Sequence, residues 1–237
     1  MGLPISVLLR GRDDRAVVVG LRAFFAELRR VDAVFSTYRE DSEISRLRRG
    51  ALAVDAVSDE VADVLALCRQ ARQITDGLFD ADATAGGIDP SGLVKGWAVE
   101  RAARHLDLDE VDYCINAGGD VLTRVLPGRS PWRIGLESPH DRWAVVDVVT
   151  VAGGALATSG TAARGAHIVD PRTGGAADAV ASVSVRGPSL LTADVLATAG
   201  FVYGTGAEKW VAQRDGYTAL VVERDGSMCR GPGWPAA

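Results

Sequence analysis

Apolar residues at Val17, Leu21, Phe24, Phe25 and Leu28 recur every three or four positions, so the spacing predicts a helix over residues 16–31 with one buried face. A first strand is expected before it, at 4–9. A second helix runs from Ser58 as its cap through Val61, Val64, Leu65 and Cys68 to Thr75, with Gly77 as the stop. Between the two, Phe35 to Ile44 is a polar loop leading into a short helix, and the glycine-rich residues 79–87 read as irregular. Residues 89–96 open a third helix that continues to about Leu106, with Asp89 as the cap and Pro90 at the first helical position.

Strands are expected at 111–115, 132–136, 144–151, 155–158, 166–169, 181–186 and 219–223, the last closing the series. Alternation in Val145-Val146-Asp147-Val148-Val149 is imperfect, which suggests burial on both faces. The run 190–203 is different in kind. It has helical length, Leu, Val, Ala and Gly all round, and one charged side chain, Asp194. The fold class that follows is α/β (α+β): mixed, largely antiparallel sheets flanked by helices, in two closely packed lobes with a ligand cleft between them. Because no polar linker interrupts the chain, residues 1–237 are read as one domain.

Composition narrows the partners. A formal net charge of -5 argues against nucleic acid, which needs a clustered basic surface. The short basic group Arg46, Arg48 and Arg49 reads as a solvated helix end. Three widely spaced cysteines with no C-x-x-C pair fit neither a disulfide framework nor a zinc site, and point to a reducing, cytoplasmic setting. No apolar run reaches the length of a membrane span.

Four places carry candidate chemistry. Asp194 and Thr198 stand four apart, so both oxygens project from one helix face. A carboxylate buried there without a partner costs several kcal/mol, and no Lys or Arg lies on the same helix. Carboxylate, hydroxyl and backbone oxygen suit a hard cation such as magnesium, while an ion pair with a distant arginine is the plain structural alternative. At residues 89–96, Gly92 and Gly96 leave the first helical turns bare, Lys95 adds a point charge, and a phosphate could approach. Simple helix capping explains the same residues. His167, next to the turn Asp170-Pro171-Arg172-Thr173-Gly174, is either a structural histidine or an acid/base group. Tyr38 is either a rim aromatic or a stacking platform for a planar ligand.

In this order, S-T-Y-R-E-D-S-E-I-S-R-L at 36–47, G-L-F-D at 77–80, D-P-S-G-L-V-K-G at 89–96, I-N-A-G-G-D at 115–120, T-S-G at 158–160, H-I-V-D-P-R-T-G at 167–174 and A-D-V-L-A-T-A at 193–199 resemble the FAD:protein FMN transferase family, also called the ApbE family. The resemblance implies magnesium-dependent cleavage of FAD, transfer of FMN to a Thr or Ser hydroxyl of an acceptor protein, and release of AMP. It also implies metal ligation by Asp194, Thr198 and the backbone oxygen of Gly92. FAD contacts are implied at Met1, Tyr38, Asp89, Lys95 and Ile168, and acid/base catalysis at His167. Water in place of the hydroxyl would give an FAD pyrophosphatase, and loss of catalysis a flavin-binding protein. The sequence departs from the family in its short 79–88 segment and at Ala197, where some relatives carry an acidic residue.

Overall fold

The computed structural model describes residues 2–84, 86–161 and 168–235. The amphipathic run at the start forms α1, Arg15–Phe35, whose buried face is Val17, Phe24, Leu28, Val31 and Phe35. Asp14 caps it by accepting from the amides of Ala16 and Val17. Next come α2, Glu43–Arg48, and α3, Asp59–Ile74, the latter capped by Ser58 as the sequence indicates. α4 is Ser91–Ala103, and α5, Leu190–Tyr203, has the bounds expected from its apolar run.

Seven strands build one antiparallel sheet in the order β1-β2-β3-β6-β7-β8-β9. They are β1 Ile5–Gly11, β2 Val111–Ala117, β3 Asp120–Arg124, β6 Gly154–Gly160, β7 Ser182–Gly187, β8 Thr218–Val222 and β9 Met228–Arg230. A separate ribbon pairs β4, Trp132–Glu137, with β5, Val145–Val151. Side chains alternate across the sheet, and both faces are covered. Ile115, Leu122, Ala155, Val183 and Val221 join α1, α3, α4 and α5 in the larger core, which includes Phe24, Leu93, Leu196 and Phe201. Their neighbours Cys114, Val121, Leu156 and Leu220 face the ribbon and meet Leu136, Val149, Val151 and Trp234. Each fully buried Leu or Phe contributes about 1.5–3 kcal/mol.

Several expectations are corrected. β5 is not buried on both faces, because the ribbon packs on one side only and Val145 is exposed. The strand at 218–222 is not the last, since β9 pairs with it. β3 and a short helix α6, Ala207–Val211, were not anticipated. Of the expected strand at 166–169, the first two residues lie outside the described ones, and Val169 makes only an isolated bridge to Ala176.

The contact that positions the site is the crossing of α4 and α5. Gly96 makes it close: a Cβ there would stand 2.7 Å from the Leu190 carbonyl oxygen and 2.8 Å from the Leu191 Cα. Glu100, one turn on, accepts from the Leu190 and Leu191 amides and so caps α5 alongside Ser189.

Candidate active site

The crossing sets the Lys95 side chain against Asp194. Asp194 is 2% exposed, and its Oδ1 lies 3.3 Å from the Lys95 ammonium. Its other oxygen, Oδ2, is buried with no hydrogen-bond partner. α5 itself carries no Lys or Arg, and the neutralising base comes from α4. The same ammonium stands 2.5 Å from Oδ2 of Asp120, the first residue of β3. Asp120 is also buried, and its Oδ1 accepts from the Thr158 N–H at 3.0 Å. Sequence reasoning passed over Asp120. Its signal was the glycine pair before it, which forms a two-residue hairpin between β2 and β3 with both glycines at positive φ, 63° and 103°.

Burial drives Asp194 above the ordinary carboxylate range; Lys95 opposes that and Asp120 adds to it. Burial likewise works against the Lys95 ammonium, but Asp194 and Asp120 outweigh it and raise its pKa. With both carboxylates ionised, the one ammonium of Lys95 leaves the cluster one negative charge in excess.

One turn along α5 from Asp194, the Thr198 hydroxyl is 3.2 Å from that of Ser159. Gly92, in the first turn of α4, lies opposite. A Cβ there would stand 3.2 Å from the Phe79 ring and 4.0 Å from the Thr198 hydroxyl. Phe79 therefore fills the space that a larger residue at 92 would need. The orphaned Asp194 oxygen, the Thr198 hydroxyl and the bare Gly92 backbone are hard oxygen donors and fit a magnesium-like cation. Among the described residues no three His, Cys, Asp or Glu side chains gather as a metal cluster. Such a cation would take the rest of its shell from hydroxyl, backbone and ligand oxygens.

These groups line one cleft of about 460 Å³. Seven of the residues singled out in the sequence border it: Tyr38, Asp89, Gly92, Lys95, Ile168, Asp194 and Thr198. Met1 and His167 lie outside the described residues. The helix carrying Lys95 starts one residue later than expected, with Pro90 in the cap position. Asp89 still accepts from the Ser91 N–H at 3.0 Å, and Arg48 stands 3.5 Å from its carboxylate. Arg48 is thus drawn toward the cleft wall and is not a solvated helix end. Tyr38 is 92% exposed at the rim, on a turn fixed by the Ser36 hydroxyl, which accepts from the amides of Tyr38 and Arg39. The turn after Ile168 is pinned to α5, because Arg172 bonds both the Asp170 carboxylate and the Val202 carbonyl.

The profile of the ApbE family matches residues 1–87 and 82–221. The chain belongs to the ApbE family. An FAD:protein FMN transferase of Escherichia coli (strain K12) is 30% identical over 151 residues, covering 59% of this chain and 43% of that protein. The chain thus spans under half the length of that ApbE relative. The crystal structure of the ApbE protein of Thermotoga maritima superposes with a TM-score of 0.85 at 25% identity, covering 98% of this chain and 94% of that one. The flavin transferase ApbE of Vibrio cholerae shares the fold, with a TM-score of 0.79 at 22% identity and 98% of each chain covered. The ApbE fold confirms the expected class, with largely antiparallel sheets, flanking helices and a cleft. No helix among the described residues is long and apolar enough to cross a membrane.

Proposed function

We propose that this chain, acting as one functional unit over its 237 residues, is a magnesium-dependent FAD:protein FMN transferase. It takes FAD and an acceptor protein with a Thr or Ser, attaches FMN through a phosphoester and releases AMP. One observation carries the reading. The buried Asp194, which lines a cleft with Thr198, Gly92 and Lys95, has an oxygen with no hydrogen-bond partner. A carboxylate this expensive to bury calls for a cationic partner.

Asp194, Thr198 and the backbone oxygen of Gly92 would hold the cation, which offsets charge on the FAD diphosphate when bound. The first turn of α4 offers the positive end of its helix dipole to the same diphosphate, and Lys95 lines the cleft beside it. Asp89 and Ile168 border the cleft where the rest of FAD would lie, with Tyr38 at its rim, and Met1 belongs to the same proposed contact set. His167, next to Ile168 in the chain, is the proposed base. It takes the acceptor hydroxyl proton as that oxygen bonds to the FMN phosphorus. The bond to the AMP phosphate breaks, and AMP departs with the electron pair. A cytoplasmic setting is part of the proposal and rests on the free thiols Cys68, Cys114 and Cys229.

The test is incubation with FAD, magnesium and acceptor peptides, followed by mass spectrometry. FMN mass on a Thr or Ser, with AMP in equal amount, is the expected result. Free FMN with unmodified peptide makes the enzyme a pyrophosphatase, and unchanged FAD refutes catalysis.

A further inference from the structure

We propose that Asp120 is a positioning residue that draws the Lys95 ammonium away from Asp194, leaving Asp194 open to a divalent cation. The inference rests on the reading of Asp194 as a cation ligand given above. Its basis is an asymmetry. One ammonium sits between two carboxylates, 2.5 Å from Asp120 and 3.3 Å from Asp194. Coulomb attraction falls with distance, so Asp120 holds it more strongly.

Asp120 is anchored independently of the lysine. The Thr158 N–H donates to its Oδ1 at 3.0 Å, and β3 is registered against β6 beside it, with Val121 opposite Leu156. Lys95 is anchored too, because Gly96 and Glu100 fix α4 against the start of α5. The ammonium therefore has a short tether with both carboxylates within reach. With Asp194 as its sole partner it would close into a neutral pair, and an arriving cation would have to displace it. With Asp120 present the nearer carboxylate holds the ammonium, and Asp194 keeps Oδ2 unbonded. Asp120 borders the cation site without being one of the proposed ligands.

The experiment measures Mn2+ binding to the full chain without FAD, read as the loss of the free-ion signal in electron paramagnetic resonance. Asp120→Asn keeps the oxygen that accepts from Thr158 and replaces the charged oxygen facing Lys95 with an NH2 that cannot hold an ammonium. Its Mn2+ affinity is expected to fall about 10- to 100-fold, the usual range for a residue behind a metal ligand. Lys95→Met removes the competitor and is expected to bind Mn2+ more tightly than the wild type. In the Lys95→Met background, Asp120→Asn should leave the affinity where it was. Unchanged affinity in Asp120→Asn, or an equal loss in both backgrounds, overturns the inference; the second result makes Asp120 act on the cation directly. If Asp120→Asn does not fold, Lys95→Met decides alone, and weaker Mn2+ binding there refutes competition. Wild-type binding that Asp194→Asn leaves unaltered would instead bring down the cation site itself.

Discussion

Two of the clusters of carboxylates and cations on this molecule differ in ways that separate a clamp from a site. On the outer helical surface, Glu27 and Glu60 meet Arg30 and Arg101. Glu60 accepts from Arg30 at 2.6 and 2.7 Å and from Arg101 at 2.5 Å, while Glu27 accepts from Nε and Nη2 of Arg30 and stands 2.6 Å from Nε of Arg101. Charges balance two against two, and both arginines are 42% exposed. The arrangement bridges α1, α3 and α4 and leaves no carboxylate oxygen wanting. At the cleft, two buried carboxylates, Asp194 and Asp120, share the single ammonium of Lys95, and Asp194 has an orphaned oxygen. A protein that only needed to glue α4 to α5 had the balanced solution available nearby. The unbalanced one makes sense when a further positive charge arrives with the substrate.

The sharpest way to break the contrast is Asp194→Ala. Turnover of FAD in magnesium is expected to drop to background, measured as AMP release, while the fold survives because the removed group is a costly one to bury. Turnover at the normal rate would demote the cleft cluster to a clamp like the other. Next in size is His167→Ala, for which transfer should fall about 100- to 10,000-fold, the range of general-base help. FAD affinity, followed by flavin fluorescence, should hardly move. If binding and transfer fall together, the histidine shapes the pocket and moves no proton.

A third test separates placement from chemistry. Gly96→Ala would push a methyl into the Leu190 carbonyl and the Leu191 Cα, both backbone, so the α4–α5 crossing must widen. Overpacking of this kind costs about 1–3 kcal/mol. Thermal melting should register that loss, and turnover should fall with it because Lys95 follows Gly96 outward. A variant destabilised but fully active would show that the Lys95–Asp194 distance is unimportant.

The helices were the most legible part of this architecture. α5 was found over its expected span because an apolar run of helical length has few alternatives, and α1 because one face repeats at helical spacing. β3 was missed because five residues after a glycine turn carry little period of their own, although the paired glycines announced a hairpin. β5 was misread because a valine run looks the same in a central strand and in a two-stranded ribbon; only tertiary packing tells them apart. At the site, Asp194 stood out because a lone charge in an apolar helix conflicts with its surroundings. Its partner did not, since Lys95 sits on a different helix with a plausible local role of its own. Long-range ion pairs leave no periodicity to read.

The smallest expected effect tests the clamp. Glu60→Gln removes a charge that holds Arg30 and Arg101, yet exposed ion pairs contribute no more than about 1 kcal/mol, so the loss in urea unfolding should stay below that. Its pH dependence has a definite sign. Hydrogen bonds from Arg30 hold the Glu60 pKa below its ordinary value of 4.5. A carboxylate with a depressed folded pKa stabilises above its unfolded pKa and loses that contribution as pH falls through the folded one. The wild type should therefore exceed Glu60→Gln in stability at pH 7, and the two should converge on acidification below 4.5. Raising the salt to about 1 M, where screening acts within roughly 3 Å, should close most of the gap at neutral pH as well. FAD turnover should stay unchanged throughout, since this cluster has no group in the cleft. A large loss of turnover in Glu60→Gln would mean that the surface clamp and the buried cluster are coupled through α4, and the distinction between them would fail.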